Sequence, residues 1–197
     1  MLIRKMREED IVAVVEIEKQ CFSQPWSEKS FYDSLSREDT VFFVCEQTEQ
    51  DEKIAESSSF FLNRQMLQTD LLKEVQEDSS ELTVPVHFME QGMALKNDRK
   101  TPKVVGYIGM YISFDEASIT NVAVLPDSRK MGIGEQLVTN AKKEAKDIAV
   151  ETIFLEVRVS NLPAISLYKK LGFQELGIRK NFYDHPLEDA YIMSCKL

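Results

Sequence analysis

The sequence predicts an α+β or α/β fold on a mixed sheet, and three observations predict it. Its segments run strand, two helices, three strands, helix, strand, helix, two strands. At 197 residues and 43% hydrophobic content, the chain closes one substantial core. No internal repeat replaces that core with a stacked array. The expected organisation is a single domain over 1–197, with a long insertion at about 49–103 between the second and third strands.

Leu2 to Lys5 reads as the first strand. Behind Asp10 as N-cap, Ile11, Val14, Val15 and Phe22 recur at helical spacing, giving a helix that ends near Gln20. Pro25-Trp26-Ser27 starts a second helix, with Ser27 as cap and Trp26 packing on Phe31 as a hydrophobic staple. Thr40 to Cys45 is a strand. Between Glu49 and Lys103 the texture turns to polar runs such as Glu77-Asp78-Ser79-Ser80-Glu81. Within it, a helix over 60–75 and a strand over 82–88 are the readable segments. Val104 to Ser113 and Ala117 to Leu125 form a hairpin around Phe114-Asp115-Glu116. Gly132 opens a helix with Ile133, Leu137, Ala141, Ala145 and Ile148 on its buried stripe and Lys142, Lys143 and Lys146 opposite. Thr152 to Val159 is a strand. Asn161 caps a helix carrying Pro163 in its first turn, and Leu171-Gly172 ends it. Gln174 to Lys180 and Asp189 to Lys196 are the last strands.

A net charge of −9 provides no broad basic field for a nucleic-acid backbone, so direct nucleic-acid binding is not expected. Cys21, Cys45 and Cys195 are odd in number and far apart, and read as reduced thiols rather than a disulfide framework or metal set. His87 and His185 stand alone, and no metal is expected. The N-terminus turns acidic where a secretory signal needs apolar residues, and no apolar run spans a bilayer. The expectation is a soluble cytoplasmic protein without a membrane partner, its subunit number left open.

Arg129-Lys130-Met131-Gly132-Ile133-Gly134 lies between a strand and a helix. Two glycines there free backbone N–H groups to face an anion at the positive end of the helix. The Gly-Lys-Ser/Thr of a Walker loop is missing, as is the third glycine of a dinucleotide turn. A tight structural turn explains the glycines equally well by themselves.

This turn resembles the Arg/Gln-x-x-Gly-x-Gly/Ala of the GCN5-related N-acetyltransferases. Asn121-Val122-Ala123-Val124, Leu155-Glu156-Val157-Arg158, Ser160-Asn161, Ala164-Ile165-Ser166-Leu167-Tyr168 and Leu171-Gly172-Phe173 follow in that family's order and spacing. Pro25-Trp26-Ser27-Glu28, Arg179-Lys180-Asn181-Phe182-Tyr183 and Glu188-Asp189-Ala190 are similar to its ribosomal-protein-alanine N-acetyltransferase subgroup. The resemblance covers about 1–48 and 104–197, and the insertion has no counterpart in it.

The resemblance implies acetyl-CoA as co-substrate. Val122, Ala123 and Val124 would hold its acetyl and pantetheine part, Arg129, Lys130, Met131, Gly132, Ile133, Gly134 and Glu135 its pyrophosphate, with Asn161 a further contact. It implies Glu156 as general base through water and Tyr168 as general acid to the leaving thiolate. Trp26 and Tyr183 are the candidate acceptor-binding residues. The residues alone leave other readings open: Glu156 as a solvated edge residue or partner of Arg158, Tyr168 as a core aromatic with a tethered hydroxyl, Asn161 as a helix cap, Trp26 as a staple and Tyr183 as cover for a strand end. Phe182 stands where the family often has tyrosine, which weakens a tyrosine-pair clasp.

An α-amine titrates near 7.7–8.0 and a lysine near 10.4, so at neutral pH the reactive neutral form is about a hundredfold more abundant for the α-amine. This favours a protein N-terminus, and the resemblance implies the N-terminal alanine of a small-subunit ribosomal protein. A small-molecule amine or protein lysine is the alternative acceptor. A non-catalytic acyl-CoA sensor or interaction module is the alternative class.

Overall fold

The structure, a computed structural model, describes residues 1–47 and 103–197, which form one compact unit. The helix and strand expected over 60–75 and 82–88 lie outside the described residues. Among the described residues seven strands make one sheet, in the order β1-β2-β3-β4-β5-β7-β6. They are β1 (Leu2–Lys5), β2 (Thr40–Gln47), β3 (Lys103–Ser113), β4 (Glu116–Val124), β5 (Thr152–Arg158), β6 (Gln174–Asp184) and β7 (Leu187–Lys196). Among the described strands only β4 and β5 pair in parallel, so the sheet is mixed as expected.

Among the described residues four α-helices cover its two faces: α1 (Ile11–Cys21), α2 (Glu28–Leu35), α3 (Ile133–Asp147) and α4 (Leu162–Lys170). On one side Ile11, Val14 and Ile17 of α1 and Phe31 of α2 pack with Phe42, Val44, Tyr107 and Ala123. On the other, Ile133, Leu137, Val138 and Ala141 of α3 and Ile165 and Tyr168 of α4 pack with Ile108, Ile119, Leu155 and Met193. Burying both faces is what the dense apolar text of the central strands requires.

Local sequence signals set most boundaries. The Ser27 hydroxyl accepts from the Ser30 N–H at 3.1 Å, and the Trp26 and Phe31 rings lie 5.4 Å apart, so cap and staple both form. The Asn161 side chain accepts from the Ala164 N–H at 3.3 Å, capping α4. Gly172 ends α4 with φ +90°, the left-handed conformation glycine adopts at least cost.

Four expectations change. Asp10 precedes α1 but does not cap it: its buried carboxylate takes two hydrogen bonds from Arg4, at 2.7 and 2.8 Å, and one from the Arg7 N–H at 2.8 Å. A guanidinium offers stronger bonds than one more helix amide. Ile148 lies past the end of α3 and is exposed, its place in the core being taken by Val138 and Val150. Lys142 leans onto the end of α4, its ammonium donating to the Leu171 carbonyl at 2.7 Å. The last hairpin is longer than expected, because β6 reaches Asp184 through a bulge between Arg179 and Tyr183. Asp189 holds that bulge, accepting from the Asn181 N–H at 2.9 Å and pairing with Lys180 at 2.6 Å.

Candidate active site

The sheet divides where β4 meets β5. Four residue pairs join them, from Glu116–Thr152 to Ile119–Leu155, and beyond Ile119 they share no further pair. Thr120 is an extra residue in β4, since Gly109 faces Asn121 while Met110 faces Ile119. A bulge of this kind bends its strand and re-aims the residues after it. Past Thr120, the N–H of Leu125 donates to Val105 of β3, and antiparallel alternation turns Ala123 the same way. Val122 and Val124 therefore direct their main-chain groups into the gap that β5 has left. Of the three strand residues expected to hold acetyl-CoA, two present amides there, and Ala123 gives its own to β3.

Below the gap lies the turn 129–132. Lys130 and Gly132 adopt left-handed conformations at φ +62° and +77°, and no side chain caps α3. The first amides of α3, on Ile133, Gly134 and Glu135, thus face outward without a carbonyl four residues back. Successive amides at a helix start make a concave anion site. Gly134 also lets α3 approach α4, since a Cβ there would stand 3.3 Å from Leu167. The Glu135 carboxylate is engaged by Lys170 at 2.7 Å, so only its amide serves the turn. Arg129 folds back: its Nε donates to the Val124 carbonyl at 3.1 Å and Nη2 lies 3.6 Å from the Cys21 thiol. It braces the rim of the gap, while Lys130 and Met131 remain on the turn.

Glu156 is the first β5 residue past the paired stretch, and its half-buried side chain accepts from Arg179 at 3.1 Å. The open partnership with Arg158 is not the one formed. Arg158 instead pairs with Glu188 at 2.9 Å and donates to the His185 and Pro186 carbonyls at 3.0 and 3.1 Å. Ser160 together with Arg158 holds the Glu188 carboxyl below its ordinary range. The Arg158 guanidinium covers the Tyr183 ring, 4.1 Å from its centroid.

Tyr168 is 7% exposed and packs edge-on against Phe173. Its hydroxyl makes no hydrogen bond among the described residues, so the tethered reading is not realised. Burial, then the neighbouring Tyr183, pushes its phenol above the ordinary tyrosine value. Tyr183 is raised as well, by burial against the opposing Arg158, with Glu156 and Glu188 adding to the rise. The Tyr183 phenol thus feels the Glu156 carboxylate, and the Tyr168 phenol feels Tyr183. Phe182 and Tyr183 sit on the β6 bulge with their rings 4.9 Å apart.

Trp26 belongs to the opposite wall, the connection between α1 and α2. That wall is fastened to β4 by the Cys21 thiol, 3.5 Å from the Val124 carbonyl. Its Ser23 hydroxyl donates to the His185 carbonyl in the β6–β7 turn, so the two walls meet across the gap. Asn161 remains a helix cap on the surface. The residue that sequence reasoning missed is Glu18, fully buried on α1 and bonded to Tyr107, Trp26 and Asn121. Its signal was a carboxylate on the apolar stripe, four residues after Val14 and seven after Ile11.

A parted sheet above an uncapped, glycine-bearing helix start suits a long ligand with an amide-rich arm and a pyrophosphate, and that is the architecture of acyl-CoA-dependent N-acyltransferases. The chain belongs to the acetyltransferase (GNAT) family, whose sequence profile matches residues 64–173. It is an acetyl-CoA-dependent N-acetyltransferase. It is 33% identical over 191 residues to a Bacillus subtilis (strain 168) protein provisionally named ribosomal protein bS18-alanine N-acetyltransferase, covering 97% of this chain and 92% of the relative. The Escherichia coli (strain K12) enzyme named ribosomal protein bS18-alanine N-acetyltransferase is 40% identical over 94 residues, 47% of this chain and 64% of that protein. The crystal structure of the ribosomal-protein-S18-alanine N-acetyltransferase from Escherichia coli superposes with a TM-score of 0.66 at 26% identity, covering 99% of this chain and 92% of that one.

No described helix is long and apolar enough to cross a membrane. Among the described residues no group of three His, Cys, Asp or Glu side chains is placed to hold a metal ion.

Proposed function

We infer that this enzyme acetylates the N-terminal alanine of a small-subunit ribosomal protein in the cytoplasm, with Glu156 as general base and Tyr168 as general acid. The observation that carries the chemistry is the parting of β4 from β5, past which Val122, Val124 and Glu156 have no partner across the gap. The likeness to the Bacillus subtilis relative along nearly the whole chain supports the acceptor, because it includes both walls of the gap.

Acetyl-CoA supplies a thioester carbonyl that an uncharged amine attacks, forming a C–N bond as the C–S bond breaks. Val122 and Val124 offer N–H groups to the acetyl oxygen and pantetheine amides, where fixed donors count most as charge develops. Lys130 to Glu135 hold the pyrophosphate. Glu156 accepts the proton the amine must lose, through a water. Tyr168 gives its phenolic proton to the departing sulfur, so that the released thiol is neutral and does not attack the new amide. A phenol whose ring is packed and whose hydroxyl has no partner among the described residues suits that donation.

Trp26 and Tyr183 flank the acceptor. The Ser23–His185 bridge joins the two walls of the gap, which favours a chain end over a side chain rooted in a folded surface. Mass spectrometry of ribosomal protein bS18 from cells lacking this gene tests the assignment. A free N-terminal alanine is expected, and a fully acetylated one would remove the substrate while leaving the enzyme class. Turnover of an alanine-starting peptide against a polyamine panel separates this reading from a small-molecule acceptor.

A further inference from the structure

Glu18 is a buried carboxyl to which the reaction steps assign nothing. It is 0% exposed on the face of α1 that carries Ile11 and Val14 into the core, where a charge persists only if its oxygens are well bonded. Three donors reach it, each from a different element. Tyr107 of β3 donates its hydroxyl, the main-chain N–H of Trp26 lies at 2.7 Å, and the Nδ2 of Asn121 in β4 lies at 3.3 Å.

These partners are all attached to the gap. Asn121 is the β4 residue just before Val122, at the point where β5 has left. Tyr107 pairs with Ala123 in the neighbouring strand. Trp26 lines the acceptor wall. The rings complete the circuit: Trp26 packs on Phe31 at 5.4 Å, and Phe31 on Tyr107 at 5.6 Å. The Trp26 segment is therefore held by its main chain and by its ring, and both attachments end on Tyr107 and Glu18.

The arrangement leaves something unsatisfied. Because the carboxylate takes the Nδ2 end of Asn121, the Oδ1 end is turned away, buried and without a partner among the described residues. Buried polar atoms are ordinarily paired, and a site that keeps both an ionisable carboxyl and an orphaned amide oxygen is not the arrangement stability alone favours.

We propose that Glu18 is a positioning residue for the acceptor: its carboxylate ties the Trp26 segment to Asn121 at the edge of the β4–β5 gap, so the acceptor meets a preformed wall. The inference rests on the proposed placement of Trp26 beside the acceptor. It separates Glu18 from the pyrophosphate turn, since none of its three partners lies on the turn 129–132 or on α3.

The test uses Glu18→Gln in the full-length enzyme, with acetyl-CoA and an alanine-starting peptide varied separately. Glutamine keeps the shape but replaces one acceptor oxygen with a donor, setting it against the N–H of Trp26 or the donors from Tyr107 and Asn121. The peptide KM is expected to rise about tenfold, while kcat and the acetyl-CoA KM stay within about threefold. Trp26 is the single tryptophan of the chain, so its fluorescence reports on this segment without an acceptor. Acrylamide quenching should increase at least about twofold. Should Glu18→Gln fail to fold, Tyr107→Phe removes one donor at less risk, with a rise of about threefold in peptide KM expected. An unchanged peptide KM in a folded variant, or both KM values rising together as kcat falls, would overturn the proposal. If the wild-type enzyme does not turn over the peptide, the acceptor assignment fails instead, and the quenching comparison still decides whether Glu18 holds the Trp26 segment.

Discussion

The ring of Tyr168 meets the edge of Phe173 with 5.7 Å between centroids, and the main chain joins the same two residues. The Phe173 N–H donates to the Tyr168 carbonyl at 3.0 Å, and the Gly172 N–H to that of Lys169 at 3.1 Å. This is the paired bonding of a Schellman turn with its accompanying apolar contact. The helix terminus therefore orients the side chain assigned as acid.

Tyr168→Phe should leave that orientation intact, because the ring packs and the hydroxyl has no partner among the described residues. The melting temperature is expected to stay within about 2 °C of wild type, whereas kcat falls about a hundredfold, the lower range for losing a general acid. Continuous thiol release with a colorimetric reagent measures it. A near-normal kcat would show that the sulfur is protonated from elsewhere.

Glu156→Gln is expected to lower kcat/KM about a hundredfold at pH 7 while acetyl-CoA binding by calorimetry changes little. The deficit should shrink as the assay moves toward pH 9. The acceptor α-amine, with a pKa near 7.7–8.0, then sheds its proton without help. A deficit independent of pH would point to a positional role for the carboxylate.

Gly132→Ala places a Cβ on a residue at φ +77°, where the nearest atom would be Gln136 Nε2 at 3.9 Å. Space is ample, so the cost is in the backbone, about 1–2 kcal/mol for an L-residue in the left-handed region. If the turn instead relaxes, the amides of α3 lose their aim. A fall of a few degrees in melting temperature and a several-fold weaker acetyl-CoA affinity are expected together.

Asp10→Asn tests the Arg4 pairing away from the site. Burial raises the Asp10 carboxyl, but hydrogen bonds from Arg4 and the Arg7 N–H outweigh it and leave the group below 3.8. For a lowered acid the stabilisation is full above the unfolded value and disappears as pH falls through the folded one. Wild type should therefore melt roughly 5 °C above the variant from pH 5 to 8, consistent with about 2 kcal/mol, and the difference should narrow below about pH 4. A constant difference down to pH 2 would contradict the ion pairing.

What the sequence made legible was local. Ser27, Trp26 with Phe31, Asn161 and Gly172 each act within five residues of themselves, and each does what its position suggests. The element order was readable for the same reason. Asp10 misled because Arg4, a strand away, competes for its carboxylate. The extent of β6 was unreadable because its bulge is held by Asp189, in the partner strand. Glu18 stood in plain view as a carboxylate on an apolar stripe, but its three partners are 8, 89 and 103 residues distant. Such a group acquires meaning only from tertiary structure. Similarly, family spacing marked Val122 to Val124, and only the register with β3 distinguishes the two outward amides from the inward one.

The parting of β4 from β5 also bears on what the protein must avoid. Unpaired strand amides are a template on which another polypeptide can add, the usual route to edge-to-edge aggregation. Here that edge is enclosed: α1 is fastened along it through Cys21 and Glu18, and Ser23 and His185 close the far side. A thin, flexible molecule can thread such a slot, whereas a neighbouring chain, which needs room for side chains on both faces, is shut out. Loosening the Ser23–His185 contact should therefore make the enzyme more prone to self-association at high concentration, and acetyl-CoA should protect it.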